Sequence, residues 1–569
     1  MVKSKSKSKI SKKSKKQSEA STLSPKEQAI QKRKAQQARK ELIQFTTISL
    51  SLASVLGIIL SVVGGAKAAL AAVAIPLLGF SYKYYRQAFW AFLIYLPFNG
   101  TVTYWVGGGN IVFQLAKDAF YLPALIALIQ ECKRKNLPIL VPKGIKLSLG
   151  IVFGFSLMTL LFVNASQELA PACEELRRGS EDIVCKDGKP IVMGILGLKV
   201  FMGYIPLIFC GYYLIRNKQE LLFFTRLHVV LAIICCALGF IQYMMLVTGR
   251  CAGTDHLSGG DLFKATLEAK CFVGGALVYS PSQGMIRLPG TFVAPWQWAW
   301  FLIANAFFTF ATAFSDPSPL WRMGGLVGMA AVFVNAVISG QRIALALVPT
   351  VIVILLVLTG QVANLKRFIP IGVGLGFLLG IAAAMYPAVV QERIDSFTGR
   401  WEASPPQAFI QEQFMWALRV QEGFFGKGLG KGTNSARAYG DTALIETYYP
   451  KVLYEIGPLG TIAFLVFVTC LTVITFKVYR SLRDKSLRSF GASFWVFILC
   501  ISYNTYYYPL DVDPVAVYYW IFAGVTLSLP AIDRQEMEKR REALENESKP
   551  KKKRSTKTSG RQTVAKASG

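Results

Sequence analysis

Long apolar runs, each bounded by polar or basic residues, recur from residue 43 to residue 530, and nothing else in the chain restricts its fold so severely. A run of about 20 such residues crosses the hydrocarbon layer of a bilayer as a helix. Within that layer every backbone N–H and C=O must be satisfied inside the protein, so runs of this kind span as helices. Apolar segments fall at 43–62, 68–80, 87–99, 111–130, 146–163, 194–215, 227–247, 292–314, 322–338, 343–359, 368–386, 458–479, 489–507 and 513–530. The second and third are short for a full crossing. The sequence thus predicts an all-α polytopic membrane protein with about 12–14 transmembrane helices.

The net charge of +30 is unevenly spread. Much of it lies in two Lys-rich, Ser-bearing tails, 1–42 and 531–569, whose composition predicts disorder. They read as cytoplasmic flanks, with anionic lipid headgroups as the alternative reason for their charge. The basic N-terminus is too long for a cleavable signal peptide, and the first apolar run continues into further ones. With that end inside, the connections "SYKYYR", "ECKRKNLPILVPKGIK", "RNKQELLFFTR", "QVANLKR" and "YRSLRDKSLRS" also fall inside. Both termini are then expected in the cytoplasm, with transmembrane helices over 43–386 and 458–530 and one large extracytoplasmic loop, containing short helices, over 387–457.

Four of the ten cysteines fall in two outer connections. Cys173 and Cys185 share one; Cys251 and Cys271 share the other. Four cysteines allow three pairings, and one bridge per loop, Cys173–Cys185 and Cys251–Cys271, is the simplest. Disulfides belong to oxidising compartments, so this agrees with the orientation. No cysteine or histidine spacing suggests a metal site, and no cofactor is expected.

Within "VFVNAVISGQRIALALVPTVIVILLVLTG" a single charge, Arg342, separates two apolar runs. A guanidinium at bilayer depth is costly and usually marks a site or a pathway. Arg342 occupies a short outer connection, on the same side as the 387–457 loop, which points to an anion site at the outer headgroup level. Inside the loop, "QAFIQEQFMWALRVQEG" has apolar residues at helical spacing, and "ALIETYYPKVLYEIG" reads as a second helix with Pro450 near its middle.

Four patterns then occur in order: "RLPGTFVAPWQWAWFL", "SGQRIALAL", "WALRVQEGFFGKGLG" and "ETYYPKVLYEIGPLG". Together they resemble the O-antigen ligase/O-antigen polymerase superfamily over roughly 280–480. The resemblance implies an enzyme, a metal-independent glycosyltransferase of polysaccharide biosynthesis. It would act on a polyprenyl-diphosphate-linked glycan at the outer face of the bacterial inner membrane. Arg342 matches the family's Ser-Arg position, although Gln341 precedes it here. Trp416 with Gly426, Gly428 and Gly430 matches the Trp and glycine-turn pattern, and Glu455, Gly457 and Gly460 match the closing pattern. Ligases of the family carry a His-Asn pair upstream of that Glu, and here the position holds Glu446 and Thr447. This departure points to a polysaccharide polymerase or a divergent branch.

Glycosyl transfer from a lipid diphosphate needs cationic groups for the leaving diphosphate and a base for the acceptor hydroxyl. Glu446 is the expected base and Arg342 the principal cation, with Arg400, Arg419 and Arg437 as further diphosphate ligands. Expected partners are the lipid-linked glycan, a glycan or lipid acceptor, membrane lipids and polysaccharide-export machinery, with no nucleic acid. The competing expectation is a transporter of a small anion such as bicarbonate; no internal repeat supports it. The tyrosines of "SYNTYYYPLDVDPVAVYYW" around Asp511 and Asp513 read as an interfacial aromatic belt, with sugar stacking as the alternative.

Overall fold

The computed structural model describes residues 25–548 apart from 71, 73, 140–141, 171–187, 260–261, 263–266, 281–283 and most of 362–404. Its principal helices are α1 (Pro25–Leu70), α2 (Ala74–Lys83), α3 (Tyr85–Tyr95), α4 (Ile111–Arg134), α5 (Lys146–Met158), α6 (Pro190–Met202), α7 (Leu207–Leu214) and α8 (Lys218–Val247). After the hairpin β1 (Val278–Ser280) and β2 (Met285–Arg287) come α9 (Pro295–Ser315), α10 (Pro319–Ile338), α11 (Arg342–Leu358), α12 (Pro406–Val420), α13 (Tyr448–Ser481), α14 (Lys485–Tyr503) and α15 (Val515–Ser548). The hairpin is antiparallel, with Val278 opposite Arg287.

Nine described helical stretches are long and apolar enough to cross a membrane, so the chain is a mostly helical, multi-pass membrane protein. The count is below the expected 12–14 for identifiable reasons. Segments 68–80 and 87–99 contribute to α2 and α3, of 10 and 11 residues, too short for a bilayer at about 1.5 Å rise per residue. Segment 111–130 lies in α4, whose middle carries Lys117, Asp118 and Pro123. Segment 343–359 forms the 17-residue α11. Most of the segment at 368–386 lies outside the described residues.

The tails depart from expectation where they are described. Residues 25–42 are the first part of α1, and α15 continues to Ser548. Both stretches are rich in Ala, Gln, Glu, Lys and Arg, good helix formers, and each continues an apolar helix that has already nucleated. Residues 1–24 and 549–569 lie outside the described residues.

The chain forms two compact units, residues 1–103 with 109–139, and 104–108 with 140–569. In the first, α2 and α3 pack on α4, and Phe92 stacks on Tyr121 at 5.6 Å. The second is organised around α9, whose entire apolar window is buried against neighbours that include α8, α10, α11 and α14. Aromatic edges and faces fill this core: Phe308 meets Phe522 at 4.7 Å and Phe494 stacks on Phe522 at 4.5 Å.

The helix termini of the second unit gather into two polar ends. At one, Arg226 of α8 grips Asp316 with two bonds of 2.7 and 2.8 Å, and Ser486 donates to the Ser315 carbonyl at 2.7 Å. Asp533 of α15 accepts from the amides of Arg483 and Asp484 at 2.9 and 3.0 Å. Lys218 and Arg540 face Asp484. The other end collects the start of α13, the 504–513 turn, β2 and the Ser339–Arg342 connection.

Candidate functional site

The second polar end is assembled on the first residues of α13. That helix opens at Tyr448, inside the stretch read as loop, and Pro450 stands in its first turn rather than the middle of a separate helix. A proline costs nothing there, because first-turn amides have no intrahelical acceptor. The preceding residues are extended. Thr447 pairs antiparallel with Tyr506, the Tyr448 amide donates to the Thr505 carbonyl at 2.7 Å, and the Tyr507 amide donates to the Glu446 carbonyl at 3.1 Å. Glu446 is thereby set beside the 504–513 turn. Helix α12 lies over this junction: Gln413 Oε1 accepts from the Glu446 amide at 3.3 Å, Phe409 meets Tyr506 edge-on at 5.9 Å, and Trp416 packs on Tyr454 at 5.4 Å.

Arg287, the last residue of β2, enters from another direction. The next amide, Leu288, donates to the Ser339 carbonyl at 3.0 Å. Gly340 (φ 70°) is pressed on the same strand; a β-carbon there would stand 3.2 Å from the Ile286 carbonyl and 3.5 Å from Arg287 Cγ. The two arginine-bearing segments are therefore in contact. Arg342 is the first residue of α11, with its Nε shielded from solvent. Gln341 Nε2 and Arg287 Nε are shielded too, and neither donates a hydrogen bond among the described residues.

The charges at this end are only partly paired. Lys451, 3% exposed, bonds Asp511 and lies 3.9 Å from Glu455. Glu455 accepts from the Gly432 amide at 2.8 Å and Thr433 Oγ1 at 2.9 Å, so its role is to anchor the glycine turn. Asp511 keeps its second oxygen buried without a donor among the described residues. No described hydrogen bond or ion pair engages the partly exposed Glu446 carboxylate. Tyr508 is close enough to Glu446, Asp511 and Arg287 for each to bias its ionisation. Burial first, then Glu446, Tyr507 and Asp511, push its phenol above the ordinary range, and Arg287 opposes them.

The glycine turn is a packing device. Gly426 (φ 72°) lies where a β-carbon would fall 2.6 Å from the Tyr454 carbonyl, and the Lys427 amide donates to that carbonyl at 2.8 Å. Asn164 accepts from the Leu429 amide and donates to its carbonyl, both at 2.9 Å. The turn is thus joined to the kink that Gly457 (φ 72°) puts in α13.

Cys251 and Cys271 form a disulfide, with Cα atoms 5.7 Å apart. Cys271 belongs to an apolar cluster with Leu277 and Leu288, against which Ile286 and Ile338 pack. The bridge therefore underlies both segments that present the arginines. The Cys173–Cys185 pairing and Arg400 lie outside the described residues. Arg419, in the last turn of α12, is exposed, as is Arg437, on a short turn seated against α6. No described contact brings either to Glu446 or Arg342. Lys427 pairs with Glu422.

The corner includes residues that sequence reasoning missed. Arg287 had a readable signal: a lone cation just before an apolar run, on the same side as Arg342. The pairing of Lys451 with Asp511 across 60 positions had none. No protein-family model matches the chain, and no curated protein matches it.

Proposed function

We propose that the chain is a membrane glycosyltransferase of the O-antigen ligase/polymerase kind, working without metal on a polyprenyl-diphosphate-linked glycan. The observation that carries this reading is the polar corner itself. Arg287, packed on the segment of Arg342, has Tyr508 as a common neighbour with Glu446, a carboxylate that no described group neutralises. Natural proteins rarely leave a shielded guanidinium nitrogen unbonded, and a ligand phosphate is the chemistry that satisfies it.

In the proposed reaction an acceptor hydroxyl attacks the anomeric carbon of the glycan. The carbon–oxygen bond to the diphosphate breaks as the new glycosidic bond forms. Polyprenyl diphosphate departs with the bonding electrons, and its growing negative charge is met by the two guanidinium groups. The hydroxyl proton passes to Glu446. Gln341 Nε2 is available as a further donor to phosphate. Arg419 and Arg437, exposed and apart, fit contacts with the glycan rather than with its diphosphate. The lipid enters sideways from the outer leaflet, with the corner outside and both termini in the cytoplasm.

Analysis of the lipid-linked and extracellular glycans of a deletion strain tests this. A polymerase predicts accumulated single repeat units, and a ligase predicts accumulated full-length lipid-linked polymer. An unchanged glycan profile, with lost uptake of a small anion, would replace the reading with the transporter. Sidedness has its own check. A single cysteine at exposed Leu444 is expected to react with a membrane-impermeant maleimide in intact spheroplasts.

A further inference from the structure

Tyr507 and Tyr508 both have left-handed backbones, with φ of 58° and 33°. Positive φ is a steric penalty for any residue with a β-carbon, and two consecutive bulky residues there incur it twice. Glycine at either place would remove it. Such strain persists only where the surroundings enforce it, and it concentrates at functional sites.

The enforcement is visible on both sides. The Tyr507 amide donates to the Glu446 carbonyl at 3.1 Å, and the Tyr507 carbonyl accepts from Trp300 Nε1 at 3.3 Å. The Tyr508 carbonyl accepts from the Asp511 amide at 3.1 Å, and Asp511 is itself held by buried Lys451. Asn504 closes the turn: its Oδ1 accepts from the Tyr506 amide at 3.2 Å and its Nδ2 donates to the Tyr506 carbonyl at 3.1 Å. Tyr506 and Tyr507 meet edge-on at 4.8 Å.

Tyr508 is spent on none of this through its side chain. Its hydroxyl makes no hydrogen bond among the described residues, and the residue is partly exposed. The turn sets it beside Glu446, whose backbone carbonyl takes the Tyr507 amide and whose carboxylate is unengaged among the described residues. It also sets it beside Asp511, whose amide donates to the Tyr508 carbonyl and whose buried Oδ1 lacks a donor among the described residues. An aromatic face, a neutral phenol and the partly exposed Glu446 carboxylate are the chemistry that recognises a sugar. The ring covers C–H surface, and the oxygens exchange hydrogen bonds with hydroxyls. A phosphate seated on Tyr508 itself would meet the Glu446 and Asp511 charges as well as Arg287.

We propose that Tyr508, held in its strained turn, is the floor of a carbohydrate subsite that seats the acceptor sugar with its hydroxyl against Glu446. The subsite is the part of the corner between Tyr508 and Glu446, and the neighbouring Arg287 is assigned to the diphosphate. This rests on the glycan-transfer reading of the same corner.

The test uses the full chain in proteoliposomes with the lipid-linked repeat unit isolated from the deletion strain. Product glycan is measured together with binding of sugar-free polyprenyl diphosphate. Tyr508→Phe, which removes one hydrogen bond, is expected to slow product formation about tenfold. Tyr508→Ala is expected to slow it further. Binding of sugar-free polyprenyl diphosphate should stay at the wild-type level in both, while Arg287→Ala weakens it. Tyr508→Gly separates folding from function: relieved of strain, it should melt no lower than wild type yet transfer poorly. Wild-type transfer by Tyr508→Phe and Tyr508→Ala would overturn the subsite and leave the transferase intact. So would a loss of diphosphate binding matching that of Arg287→Ala. A wild-type protein that forms no product would overturn the transferase reading, and the subsite with it.

Discussion

The two polar ends of the helical bundle are built from the same residue types and treat them differently. At the Asp316–Asp484 end the described carboxylates meet cations or amides. Asp316 is held by Arg226, Asp533 takes two backbone amides, and Asp484 caps α14 while facing Lys218 and Arg540. At the Glu446 end, among the described residues, Arg287 Nε and Gln341 Nε2 are shielded without acceptors, the Glu446 carboxylate is unengaged, and Tyr507 and Tyr508 are strained. Completed pairing is what a structural end requires. Unsatisfied groups cost stability, a cost that the proposed ligand would offset.

Substitutions at the two ends should therefore fail in opposite ways. The largest expected effect is Arg342→Ala or Arg287→Ala, which should reduce glycan transfer by about a thousandfold with little change in melting temperature. Glu446→Gln should lose about a hundredfold, against almost nothing for exposed Glu412→Gln, in the same transfer assay. At the other end Arg226→Ala leaves fully buried Asp316 without its cation and should cost about 3–5 kcal/mol of stability, read as lost folded protein in a detergent melt. Replacing Cys251 and Cys271 with serine crosses the comparison. It should cost about 2–4 kcal/mol and also reduce transfer, because the bridge lies under the Arg287 and Arg342 segments.

The smallest effect concerns acid. Burial alone would raise the Asp484 carboxyl, yet the Leu487 amide, Lys218, Arg540 and the Ser486 amide hold it below its ordinary value of 3.8. A depressed folded-state value contributes stability that is present above the unfolded value and is lost as pH falls through the folded one. Asp484→Asn should thus flatten the melting profile below about pH 4 and leave transfer at neutral pH unaffected.

The multi-pass helical architecture was legible because apolar runs of bilayer length admit little else. Short elements were only partly legible: the runs behind α2 and α3 are short for a crossing, but apolarity alone does not report where a helix stops. Arg342 and Glu446 stood out by position, one a lone charge between spans and the other a carboxylate where the resembled pattern places its base; the structure sets Arg342 next to the Arg287 strand and Glu446 against the 504–513 turn. Arg287 went unnoticed because the strand that presents it is only three residues long and pairs locally. Tyr507 and Tyr508 looked like a headgroup belt, since backbone strain leaves no mark in composition. Helical continuation into the basic tails was hidden by the same charge that suggested disorder.

The most direct measurement is release of polyprenyl diphosphate from a lipid-linked glycan by the purified chain in proteoliposomes, with new glycosidic bonds counted alongside. Wild-type protein should produce the two in equal amounts, and the Arg287→Ala, Arg342→Ala double variant, folded and inserted, should produce neither. Equal turnover by that double variant, or none by the wild type, would contradict the assignment of the Glu446 corner to diphosphate chemistry.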